Sequence, residues 1–100
     1  MKIILDDRRP LPEESPYYNC VRTYEECVFL IRNFHTISYI SLDYDLGEGE
    51  TGLSVLKYMV ECGNDVKHIN VHSTHHTGVP KMREYAEKNF PDAELTFNHL

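Results

Sequence analysis

Three short stretches gather the side chains able to do chemistry. "ILDDRRP" places Asp6 and Asp7 directly behind an apolar run, and "SLDYDLG" places Asp43 and Asp45 behind another. "NVHSTHH" ends a third with His72, Ser73, Thr74, His75 and His76. Asp43 and Asp45 are two residues apart, so an extended backbone would point both the same way. Crowded carboxylates resist ionisation unless a cation or strong donors meet them. A divalent ion is the usual answer, and Asp6, Asp7, Asp43 and Asp45 are the expected ligands. Oxygen donors suit Mg²⁺ or Mn²⁺, while nearby imidazoles shift the preference toward Mn²⁺ or, behind it, Zn²⁺. Pairing of the acids with Arg8 or Arg9, without a metal, is the alternative.

The cations and rings nearby have two readings each. Arg9 and Arg22 flank the acid-rich loop and suit a phosphate clamp; a weak surface salt bridge would also account for Arg22. Tyr17 and Tyr18 can stack on a base or simply cover the core edge. His72 is the candidate proton donor and His75 a second acid or base, because imidazole titrates near neutrality. His35, His68 and His99 are given no role.

The elements that must position these groups follow from periodicity and caps. Strands are predicted over 2–5, 38–42, 68–73 and 94–98, and helices over 23–34, 51–63 and 79–91. Thr23 with Glu26 forms a capping box, Gly63 stops the second helix, and Pro80 suits the first turn of the third. Residues 6 to 22 carry turn signals and read as a long functional loop. Strands alternating with helices imply right-handed parallel crossovers, which bring every strand's carboxyl end to one edge, where ligands of open α/β sheets bind. The fold class is therefore α/β: a small open, mostly parallel sheet of about four strands flanked by three helices in a three-layer sandwich. A polar rim that only terminates the strands is the plainer reading of the three clusters.

The remaining bounds are broad. A chain of 100 residues reads as one domain, 1–100. Its net charge of −6 argues against a duplex-DNA binder, though local arginines can still hold a small phosphate ligand. No run is long or apolar enough for a signal peptide or a membrane span, and three cysteines without a CxxC spacing read as reduced thiols. The expected location is cytoplasmic. The open last strand leaves a homodimer open.

"ILDDRRPLP", "VRTYEE", "SLDYDLG" followed by "TG", and "VHSTHHTGVPKM" resemble, in this order, the cyclic-phosphate processing receiver domain family, a bacterial and phage group related to response-regulator receivers. The resemblance implies an acidic site of Asp6, Asp7, Asp43 and Asp45, with Arg9, Arg22, His72 and Ser73 contacting or working on a phosphate. It also implies action on cyclic phosphates of nucleotides or RNA 3′ ends. Two positions depart from the family pattern: Tyr44 stands where a histidine is usual between the acids, and His75 and His76 stand where Asn-Pro is usual. His75 can be read as restoring the imidazole lost at Tyr44. A receiver also needs a lysine after its last strand, where this chain has Phe97, Asn98 and His99, and the chain has one strand-helix unit fewer than the usual five, so phosphorelay signalling is not expected.

The expectation is a hydrolase: metal-assisted cleavage of a cyclic phosphodiester, with Asp43, His72 and His75 catalytic and Arg9, Arg22, Ser73, Tyr17 and Tyr18 holding substrate. A phage or bacterial conflict setting, such as anti-defence removal of a cyclic nucleotide signal, fits that chemistry. The alternatives are a non-catalytic sponge for a cyclic nucleotide and a degenerate receiver serving in dimerisation.

Overall fold

The structure, a computed structural model, describes residues 1–6, 18–47 and 49–97. Strands β1 (Lys2–Leu5) and β2 (Asn19–Val21) precede α1 (Tyr24–Asn33), followed by β3 (Thr36–Ile37) and β4 (Tyr39–Leu42). Then come α2 (Gly52–Cys62), β5 (Asp65–Val66), β6 (His68–Val71), α3 (Gly78–Asn89) and β7 (Glu94–Phe97). Local chemistry sets the helix ends. The Thr23 hydroxyl accepts from the Glu26 amide at 3.1 Å and caps α1. Thr51 and Ser54 exchange bonds in a capping box at α2, and Gly63 ends that helix at φ +71°, a left-handed position that glycine takes without a Cβ penalty.

Five parallel strands form the main sheet in the order β2-β1-β4-β6-β7, and β3 pairs with β5 beside it. The sheet has one more strand than expected. β2 has only three residues, too few to show a period, and it is held as a strand by its ladder to β1. With β2 counted, the apparent shortfall of one strand disappears.

The path from β2 to β4, from β4 to β6 and from β6 to β7 runs the same way across the sheet, so right-handed crossovers put α1, α2 and α3 on one face. The core agrees. Ile3, Leu5, Val21, Ile40, Leu42, Ile69 and Val71 pack with Cys27 and Ile31 of α1, Val55, Leu56 and Met59 of α2, and Met82 and Ala86 of α3. Burial pushes the Cys27 thiol up to about 12, so it serves as a neutral core atom. Among the described residues no helix lies on the other face, so the third layer of the expected sandwich is not represented there. None of the described helices is long and apolar enough to cross a membrane. In α2, Val55, Leu56 and Met59 are buried and Val60 is exposed.

Gly52 fixes how close α2 comes to the end of β4. Its amide donates to the Tyr44 carbonyl at 2.8 Å, and an added Cβ would collide with the Asp43 carbonyl oxygen. That oxygen is backbone and cannot rotate away. Gly52→Ala should therefore cost about 1–3 kcal/mol, and a thermal melt should show a fall of roughly 4–8 °C per kcal/mol. An unchanged melting temperature would contradict this close approach.

Candidate functional site

The face without described helices is ordered by strand register. Side chains alternate across a strand, so every second residue of each strand shares this face. At the amino end lie Tyr18, Lys2, Tyr39, His68 and Glu94; one step on lie Cys20, Ile4, Ser41, Asn70 and Thr96. The ladder then runs one bond past the strands: Asp6 N–H donates to Val21, Asp43 N–H to Leu5, and His72 N–H to Leu42. Arg22, Asp6, Asp43 and His72 are thereby lined up across the carboxyl edge. From β1 the chain leaves toward β2, and from β4 it leaves the other way toward β6. Asp6 and Asp43 follow these two strands and flank the switch point where open α/β sheets bind ligands.

Asp6 and His72 are both 0% exposed. His72 Nε2 lies 3.0 Å from Asp6 Oδ2, and Nδ1 lies 2.7 Å from Ser41 Oγ. Asn70 Nδ2 donates to Ser41 Oγ at 3.0 Å, Thr96 Oγ1 donates to Asn70 Oδ1 at 2.6 Å, and His68 Nε2 lies 2.8 Å from Thr96 Oγ1. A continuous polar chain thus runs under the face from His68 to Asp6. Asp43 is half-buried, and its Oδ1 accepts from the Tyr44 amide at 2.7 Å. Arg22 Nη1 donates to the Asp6 carbonyl at 3.3 Å, which holds the guanidinium at the same rim.

Asp6, Asp43 and His72 can each bring one ligand atom within 4.8 Å of the others. Ligand distances of about 2.0–2.6 Å around one oxygen-preferring cation fit that spacing. The donor set, two carboxylates at a switch point, suits such an ion. His72 can act toward it as a ligand, or as the hydrogen-bonding partner that orients Asp6.

His75 lies beside this rim. Its Nδ1 accepts from the Gly78 amide at 2.9 Å, so a neutral ring carries its proton on Nε2. The ring packs on Tyr44 with centroids 4.4 Å apart, and a Cβ at Gly78 would strike the Tyr44 ring. The two positions that depart from the family pattern are therefore in contact. Ser73 Oγ accepts from the His75 amide at 3.1 Å and shapes the turn into α3.

Not every expected residue joins the site. β4 stops at Leu42, and the chain bends at Tyr44 to meet Gly52, so the alternation that would align Asp45 with Asp43 is lost. Asp45 is exposed, its Oδ1 accepts from the Gly47 amide at 2.9 Å, and its backbone bridges to Thr51. It stands outside the trio. Tyr18 sits four residues toward the amino end from the Asp6 row, about 13 Å at a strand's rise. It packs edge-on against Tyr39 at 5.8 Å, with the Lys2 ammonium 5.6 Å from its ring, and is not a stacking platform for this site. His72 is buried with both ring nitrogens engaged, which suits an orienting group and not a leaving-group acid. Asp7, Arg8, Arg9, Tyr17 and His99 lie outside the described residues. Ser41, Asn70, Thr96 and His68 were not anticipated, although each is a polar residue at alternate strand positions.

The family model of the Cyclic-phosphate processing Receiver domain matches residues 1–88. The chain belongs to that family. No curated protein and no solved structure matches it. In this receiver domain of a cyclic-phosphate processing family, Asp6 follows the first strand and Asp43 the central one.

The two acids should separate in a stability assay. Asp6→Ala removes the acceptor of a buried His72 hydrogen bond and should cost about 1–3 kcal/mol. Asp43→Ala, at the rim, should cost under about 1 kcal/mol. Urea denaturation measures both, and equal losses would contradict the burial difference.

Proposed function

We propose that this domain hydrolyses a cyclic phosphodiester in a nucleotide, with a divalent ion, Mg²⁺ or Mn²⁺, held by Asp6 and Asp43. The observation that carries the reading is the line of Arg22, Asp6, Asp43 and His72 at the switch point of the sheet, in a chain of a cyclic-phosphate processing family. When bound, such an ion supplies Lewis acidity to the phosphoryl group and to the attacking water.

The chain's own residues supply the rest. Asp6 is held in one orientation by the His72 bond. Arg22 offsets the negative charge that grows on the phosphoryl oxygens. His75, exposed beside the rim with its proton on Nε2, would donate a hydrogen bond to the departing ribose oxygen, which takes its proton from solvent, a part that His72 is too enclosed to play. Cyclic mononucleotides, cyclic di- or oligonucleotides and 2′,3′-cyclic RNA ends all present the same strained or bridged diester. Removal of a cyclic nucleotide signal in bacterial or phage conflict is a setting consistent with this chemistry.

A turnover screen tests the reading. Purified protein is incubated with 2′,3′-cyclic mononucleotides, 3′,5′-cyclic mononucleotides and cyclic dinucleotides, with Mg²⁺, Mn²⁺ or chelator, and products are separated by chromatography. The expected result is a linear product that needs metal. Arg22→Ala should slow it by about 10²–10³, and His75→Ala by about 10²–10⁴. Nucleotide that is bound but recovered intact would refute hydrolysis and establish a binding module.

The contact between Tyr44 and His75 yields a second test. If His75 supplies the imidazole that Tyr44 lacks, Tyr44→His combined with His75→Asn should keep most of the turnover, while His75→Asn alone should lose it. An inactive, folded double variant would contradict the compensation.

A further inference from the structure

The polar chain beneath the site has a direction, and both of its ends agree on it. At one end, a hydrogen must lie between His72 Nε2 and the Asp6 carboxylate, 3.0 Å apart. At the other, His68 Nε2 faces Thr96 Oγ1 at 2.8 Å with Glu94 Oε2 at 3.8 Å, which favours a proton on that nitrogen. Between them, Thr96 donates to Asn70 Oδ1 and Asn70 Nδ2 donates to Ser41 Oγ. Among the described residues, Ser41 Oγ has two partners, Asn70 Nδ2 and His72 Nδ1. Having accepted from Asn70, the buried hydroxyl can only place its own hydrogen on His72 Nδ1. The opposite choice would leave that hydrogen without an acceptor, and an unmet buried donor is costly.

We propose that Ser41, backed by Asn70 and Thr96, is a positioning residue that locks His72 with its single proton on Nε2, so that His72 orients Asp6 as a donor and offers no lone pair toward the gap between Asp6 and Asp43. The site then presents oxygen alone to a cation, and the aim of Asp6 depends on a hydroxyl in the middle of β4. The lock holds in the resting protein whatever the domain does to its ligand. Its value to turnover rests on the hydrolytic reading above.

The direct test is a long-range ¹⁵N–¹H NMR spectrum of the ring nitrogens in the metal-free protein, with His72 assigned by His72→Gln. The expected result is a protonated Nε2 and an unprotonated, hydrogen-bonded Nδ1. A proton on Nδ1, two protonated nitrogens, or averaging between the tautomers would overturn the proposal. Asn70→Asp keeps the shape of the side chain but turns its donor into an acceptor. It should capture the Ser41 hydrogen and bring a proton onto His72 Nδ1, and an unchanged spectrum in the folded variant would overturn the proposal too. Should that variant fail to fold, Ser41→Ala and Ser41→Thr carry the same question. Alanine should release the tautomer and threonine should restore it. For turnover, Ser41→Ala should lower kcat by about 10–100-fold with KM little changed, and Ser41→Thr should recover most of it. A locked tautomer in a protein without turnover would leave the lock standing and remove the hydrolytic reading; loss of the lock with full turnover would do the reverse.

Discussion

The hydrogen bond between Asp6 and His72 lies wholly out of solvent, and a buried pair of this kind persists only where the polar valences around it are met. Ser41, Asn70 and Thr96 meet them for the histidine, each from a different strand. The strands must therefore stay in register along this face. A one-residue slip in β4, β6 or β7 would turn its polar residue into the apolar core and an apolar one onto the face. The register that holds the core together on one side of the sheet thus aims the acid on the other.

That division of labour explains why the two faces differ so sharply. Residues 3, 5, 40, 42, 69 and 71 are aliphatic and lie against three helices, while the intervening positions are mostly polar or aromatic. Ile4 is the aliphatic exception on the polar side, buried beside Ser41 but outside the core cluster. The strands end at the same edge, so the last residues of the polar face become Arg22, Asp6, Asp43 and His72. The proposed phosphate recognition there is compatible with the negative net charge of the chain, because Arg22 is tied to the backbone beside the acids and a cation held by them would reverse the local field.

Much of this was legible in the sequence. The strand-helix alternation identified the parallel sheet, the caps at Thr23 and Gly63 marked helix ends, and the acids after two apolar runs pointed to the carboxyl edge. β2 escaped because three residues carry no period and its pairing comes from β1. Asp45 and Tyr18 were misplaced for related reasons. Alternation beyond Leu42 assumed an extended chain that Gly52 pulls into a bend, and loop residues next to an unseen strand gave no sign of which end of the sheet they join. The chain from Ser41 to His68 was readable in part, as polar residues at every second position of "YISL", "HINV" and "ELTF". Its connection to Asp6 was not, since that depends on strand order and register.

We propose that the carboxyl edge of the sheet, and not its aromatic amino end, meets the phosphate. Chemical-shift mapping of the ¹⁵N-labelled protein with a non-hydrolysable phosphorothioate analogue of a cyclic nucleotide, in Mg²⁺, tests it most directly. The account predicts perturbations at Asp6, Arg22, Asp43, Tyr44, Ser73 and His75. Perturbations confined to Tyr18, Lys2, Tyr39 and Glu94 would contradict it, as would none at any ligand concentration.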